Sequence, residues 1–195
     1  MITALQRAAQ IATRLEGGGT WTAASDSLGS VSPREAELRG PDGMSLALVE
    51  RADGYVNVSW RVPHALDGYV PDGIERRHEI NMSGSKNAEA MATEITRRLL
   101  PPARASLAAI QTHKIVQDTV AANRMIMVDR IRTALDITPT EFDRQGNLHI
   151  GQFGGDIYGT VEVTRGDHDV IFSITVTHTL ALAIAGAIGK AIRTP

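Results

Sequence analysis

The run from Ile80 to Pro101, INMSGSKNAEAMATEITRRLLP, leaves the chain few structural choices. Ala88, Met91, Ala92, Ile95 and Leu99 fall at i, i+3, i+4, i+7 and i+11, a single apolar stripe at the helical period. Ser85 or Asn87 can open this helix, because a short polar side chain accepts from the otherwise unpaired N–H groups of the first turn. Arg97 and Arg98 fall in its expected last turn, where the carbonyl end of a helix favours cations. Pro101 and Pro102 then predict a hard stop. Neither has an N–H to give, and the first pushes Leu100 out of the helical region.

The neighbouring segments read as helix, then hairpins. In Ile2 to Leu15, the positions Leu5, Ala8, Ala12 and Leu15 form one apolar face, and Gly17-Gly18-Gly19 ends the helix. The triple glycine is not a phosphate loop: no strand precedes it and no lysine-serine or lysine-threonine pair comes after it. Trp21 to Arg34 is weakly patterned, with room for one strand. From Glu35 the period changes to two. Strands are expected on either side of Gly40-Pro41-Asp42-Gly43 and again around Ala52-Asp53-Gly54, both turns by composition. Tyr55 to Val62 alternates cleanly, with Val56, Val58, Trp60 and Val62 on one side. Pro63 to Gly73 reads as a loop and Arg77 to Met82 as a returning strand.

Beyond Pro102 a long helical region extends from Ala103 to about Leu135. Its apolar residues do not share one stripe, which predicts a break near Ala121–Arg124. Three strands are then expected, at Asn147–Phe153, Ile157–Thr164 and Asp169–Thr177. The last helix, Leu180 to Ile192, is apolar on almost every side, with Leu180, Leu182, Ile184 and Ile188 spread around it. A helix of that kind is buried. It packs either between two halves of the chain or against a second copy in a homodimer.

Shifting the sequence by 114 residues superposes Gly40–Pro63 on Gly154–Thr177 without a gap, with eight identities in 24 positions. The identical pairs are Gly40/Gly154, Asp42/Asp156, Val49/Val163, Arg51/Arg165, Asp53/Asp167, Val56/Val170, Ser59/Ser173 and Val62/Val176. A helix flanks each hairpin on both sides. The expected fold is α+β, built as a pseudo-two-fold duplication of an α-β-β-β-α unit with antiparallel sheets packed against helices. The units would span residues 1–100 and 123–195, joined by a connecting helix at 101–122.

The pattern I-N-M-S-x-x-x-x-A-E-A-M-A-T-E-I-T-R-R-L-L-P at Ile80–Pro101, with the hairpin Asp53–Val62 before it, resembles uncharacterised proteins of actinobacteriophages. Those share a similar hairpin, a helix ending in R-R-L-L-P and a long helix beyond. The resemblance covers about a quarter of the chain. It implies a phage accessory protein working in the host cytoplasm and supplies no catalytic residue, because such families have no assigned activity.

No motif points to a reaction. H-E-x-x-H, G-x-S-x-G, the Walker loop and a strand-borne G-x-G-x-x-G are all missing. The six histidines are not paired at metal-ligand spacing, and Asp167-His168-Asp169 falls at a hairpin turn, so neither cofactor nor metal is expected. Without cysteine the chain has no disulfide framework, which suits a reducing compartment. No apolar run approaches the roughly 20 residues that span a bilayer. With 20 basic and 22 acidic residues there is no overall attraction to nucleic acid. The strand and helix order is nonetheless that of a double-stranded-RNA-binding domain, for which Lys86, Arg97, Arg98 and Arg104 are the candidate contacts. Such binding needs clustered cations, and Glu89 and Glu94 sit among these four. The expected work is therefore non-enzymatic: self-association or capture of a host protein, with Leu180, Leu182, Ile184 and Ile188 as candidate interface.

Overall fold

Val56, Val58 and Trp60 alternate with polar neighbours, and burial of that one side fixes the register of the sheet around them. The computed structural model describes residues 3–15, 21–25, 32–136, 147–164 and 169–193. It is α+β, with two antiparallel sheets and helices. The chain divides into two units inside its longest helix, Met1–Lys114 and Ile115–Pro195.

In the first unit, strands β1 (Thr22–Ala24), β2 (Glu35–Arg39), β3 (Ser45–Glu50), β4 (Tyr55–Arg61) and β5 (Arg77–Ser83) form a sheet in sequential order. All neighbours are antiparallel. Leu38, Leu46, Leu48, Val58 and Trp60 project from one face and are inaccessible to solvent. Helix α1 (Ala4–Ala12) and helix α2 (Ala88–Glu94) cover that face, and the core is continuous across them. The other face is polar. There the Asn57 amide donates to Asn81 Oδ1 at 3.0 Å, and the Glu37 carboxylate accepts from the Ser45 hydroxyl and from Arg39 Nε.

Several expectations are corrected. Thr3 and Gln6 form a reciprocal capping box at the start of α1, which turns Ala4, Ala8, Ile11 and Ala12 inward. Leu5, placed in the apolar stripe by spacing alone, is 41% exposed. Gly17-Gly18-Gly19 lies outside the described residues. Asn87 caps α2 by accepting from the Ala90 N–H at 2.8 Å, and Met91, Ala92, Ile95 and Leu99 are buried as the stripe requires.

The proline stop does not occur. Ile95–Leu99 form a π-helical turn, closed by the Leu100 N–H donating to the Ile95 carbonyl, and helix α3 (Leu100–Ala134) begins at once. A proline ring collides with the carbonyl four residues back in a regular α-helix. The wider π turn takes in an extra residue and relieves that collision. Pro101 and Pro102 then fall in the first turn of α3, directly after the π turn, and the helical run continues without an N–H from either. The added residue also lets consecutive Leu99 and Leu100 both face the core. Arg97 and Arg98 consequently lie in mid-run and do not serve a helix end.

Helix α3 has no break at Ala121–Arg124. Its start gives Ala103, Leu107 and Ile110 to the first core, while Val128, Met127 and Ile131 belong to the second. One stripe is not needed, because two cores use different turns.

In the second unit β6 (Asn147–Gly151), β7 (Ile157–Thr164) and β8 (Asp169–Val176) form an antiparallel meander, with helix α4 (His178–Arg193) after it. Among the described residues its core has five buried side chains, Val128, Leu148, Ile150, Val161 and Val163, against twenty-four in the first unit. The gapless sequence match does not carry through this meander. Val49 pairs with Asn57, whereas its counterpart Val163 pairs with Val170 and not with Ile171. A one-residue slip turns a strand over. Leu46 and Leu48 face the first core, but their counterparts Thr160 and Glu162 alternate with the buried Val161 and Val163. Gly40 differs from Gly154 as well: it lies under the Trp21 ring, whereas Gly154 has φ +86° and open space around it. The strand order is shared; the residue-by-residue duplication is not confirmed.

Candidate functional site

Among the candidate nucleic-acid contacts, two are paired with one carboxylate. Glu94 pairs with Lys86 Nζ and with Arg98 Nη1, the latter at 3.4 Å. The Lys86 hydrogen bond holds the Glu94 carboxyl below the usual range; burial opposes this, and the charges of Lys86, Arg98 and Arg97 reinforce it. Arg104 lies further along α3, beside Pro41, Met44 and Leu107. The four residues do not form the bare cationic row that a phosphate backbone requires.

A second cluster has the outline of a nucleophile relay. His78 on β5 sits with Nε2 at 2.8 Å from Ser106 Oγ and with Nδ1 at 3.1 Å from Glu75 Oε2. Its ring stacks on Trp60, centroids 5.6 Å apart. Neither the histidine nor the serine stands out in the sequence as a pair, since 28 positions separate them. Acyl transfer needs donors aimed at a developing oxyanion, and a space for the reacting carbon. Ser106 lies inside α3, where backbone N–H groups serve the helix, and it is 7% exposed on the core side. The geometry suits a tether between α3 and β5. Among the described residues no group of three or more histidine, aspartate or glutamate side chains is arranged to hold a metal. No helix among them is long and apolar enough to cross a membrane.

The third cluster is helix α4. Ala, Leu and Ile make up most of it, a composition that predicts burial, yet none of its residues is buried. Leu182 is 63% exposed, Ile188 54% and Ile192 78%. Leu180, Ile184 and Ile188 face the sheet across an entirely apolar cavity of about 430 Å³, whose other wall is Ile150, Ile157, Phe172, Ile174 and Leu135. Three of the four candidate interface residues thus share one wall, and Leu182 points elsewhere. Phe172, at the counterpart of the buried Val58, is 53% exposed. The C-terminal unit by itself buries none of this helix's residues. A sheet of three strands with so few buried side chains has too little cover to hide such a helix.

Compared with protein-family models, curated proteins and solved structures, the chain matches none.

Proposed function

We propose that this protein works by binding other protein, without chemistry of its own, and that the C-terminal unit carries the contact. The observation behind this reading is α4, a helix apolar on nearly every side with no residue buried within the C-terminal unit. Contiguous exposed apolar surface on that scale marks an interaction site. The engagement of Lys86 and Arg98 by Glu94 weighs against a nucleic-acid role. The phage accessory role is supported by the Ile80–Pro101 pattern alone. Within this reading the C-terminal unit is a diverged copy of the first, supported by the eight identities and the shared meander, in which the helix serves an interface.

The test is a pull-down from an actinobacterial lysate and with a differently tagged copy of the chain itself. Wild type is compared with a Leu182→Glu, Ile188→Glu double variant. Retention of itself or of a host protein by wild type, lost in the variant, is the expected result. Equal retention by both, or a retarded band on RNA or DNA at physiological salt, overturns the reading.

A further inference from the structure

Helix α3 presents Arg104, Leu107, Ala108 and Gln111 at i, i+3, i+4 and i+7, along one face near its start. Opposite them lies the turn between β2 and β3, where Pro41 and Met44 complete a cavity of about 380 Å³. All of it belongs to the first unit. The turn is held by its own backbone. The Gly40 N–H donates to the Met44 carbonyl at 2.8 Å, and the Met44 N–H to the Pro41 carbonyl at 3.1 Å. The Trp21 ring packs onto Gly40 so closely that a Cβ there would stand 2.6 Å from it. Met44 and Leu107 are each 4% exposed, which anchors the floor in the core. A ligand settling here loses little affinity to ordering the protein.

The lining has three chemical parts. Arg104 and Gln111 mark opposite ends, seven residues and so about 10 Å apart along the helix axis. Met44, Leu107 and Ala108 put apolar surface between them. Among the described residues neither Arg104 nor Gln111 has a side-chain hydrogen bond or ion pair, unlike Lys86 and Arg98, which Glu94 engages. A guanidinium offers paired N–H donors that match a carboxylate or phosphate, and an amide offers both a donor and an acceptor. Apolar lining with a few polar groups to fix orientation is the usual make-up of a small-molecule site. Scaled from the roughly 150 Å³ that hold a benzene ring, the space takes on the order of ten to fifteen non-hydrogen atoms.

We propose that this cleft binds a small organic anion lengthwise, with an oxyanion head on Arg104, an aliphatic body over Met44, Leu107 and Ala108, and a polar tail at Gln111. The site does not depend on the reading of α4.

The test is calorimetric titration of the full chain with probes of graded chemistry. Octanoate is expected to bind one to one with a Kd at or below about 1 mM. Octanol, which lacks the charge, and butyrate, which lacks the body, should each bind at least tenfold more weakly. Arg104→Gln should erase the preference for octanoate over octanol and leave octanol binding unchanged. Ala108→Trp, at an exposed helix position, should fill the cleft and abolish binding with the circular dichroism intact. 8-Hydroxyoctanoate should exceed octanoate on wild type and lose that advantage on Gln111→Ala. Octyl phosphate set against octanoate tells a phosphorylated ligand from a carboxylic acid, the tighter of the two naming the head group. Asp42→Asn removes the one acidic residue of the turn and should leave octanoate binding at least as tight as in wild type. Failure of both octanoate and octyl phosphate to bind, binding indifferent to Arg104→Gln or Ala108→Trp, or binding confined to Asp42→Asn would each overturn the proposal. None of these variants alters α4, so such a failure leaves the pull-down comparison standing.

Discussion

A Cβ built on Gly84 would lie 2.6 Å from the Gly54 carbonyl oxygen, the same atom that accepts the Gly84 N–H at 2.8 Å. Both sides of that contact are backbone, so neither can swing away. The Arg7 guanidinium also donates to the Gly84 carbonyl and pairs with Glu50, which joins α1 to the turn after β5. Gly84→Ala should therefore cost about 2 kcal/mol in denaturant unfolding, in the range of overpacked sites. Ser106→Ala removes the hydroxyl from His78 Nε2 and leaves a half-buried ring nitrogen unpaired. Its cost should be about 1–2 kcal/mol. Glu94 gives a pH dependence. Its folded pKa lies below the unfolded value, so the unfolded chain binds more protons in that window and stability rises with pH. The contribution is complete above the ordinary carboxylate range and disappears as pH falls through the folded pKa. Glu94→Gln should flatten the acid limb of a stability–pH curve measured by urea unfolding, lowering stability at neutral pH, where the Lys86 and Arg98 contacts are lost, and converging on wild type at low pH.

Among the elements, α2 is the most legible. Its stripe, its candidate cap and its burial all come from side chains within one short window. Asn87→Ala should cost about 1 kcal/mol, the usual loss at an N-cap, measurable as a lower denaturation midpoint. The join between α2 and α3 defeats a reading by proline for a physical reason. Proline rules describe a regular α-helix, and the chain departs from one through the π turn at Ile95–Leu99. The phase of α3 is hidden too. Its apolar positions answer to two cores, and a single-helix stripe cannot express that. The sheet registers are half legible. Alternation locates the longer strands, but the one-residue difference between the hairpins depends on turn length, and Gly54, with φ +81°, has His168 as its counterpart.

For the molecule as a whole, the two units differ in core size, twenty-four buried side chains against five among the described residues. Residues 1–114 expressed alone should unfold cooperatively as a monomer. In the full chain, calorimetry should show a separate transition for the C-terminal unit; if the partner proposed for it is a second copy, its midpoint rises with protein concentration, as mass action requires. A concentration-independent midpoint would mean that this unit stands on its own few buried side chains.

Residue spacing and backbone chemistry determined, without further help, the α+β class, the location of the longer strands, the α2 stripe and the apolar character of α4. Each depends on neighbours within about a dozen positions, and local sequence carries that information. Tertiary structure decided the rest: the joining of α2 to α3 through two prolines, the meeting of His78 with Ser106, and above all the exposure of α4. Apolar composition says that a helix needs cover. Only the placement of the elements around it shows that its own unit does not provide it.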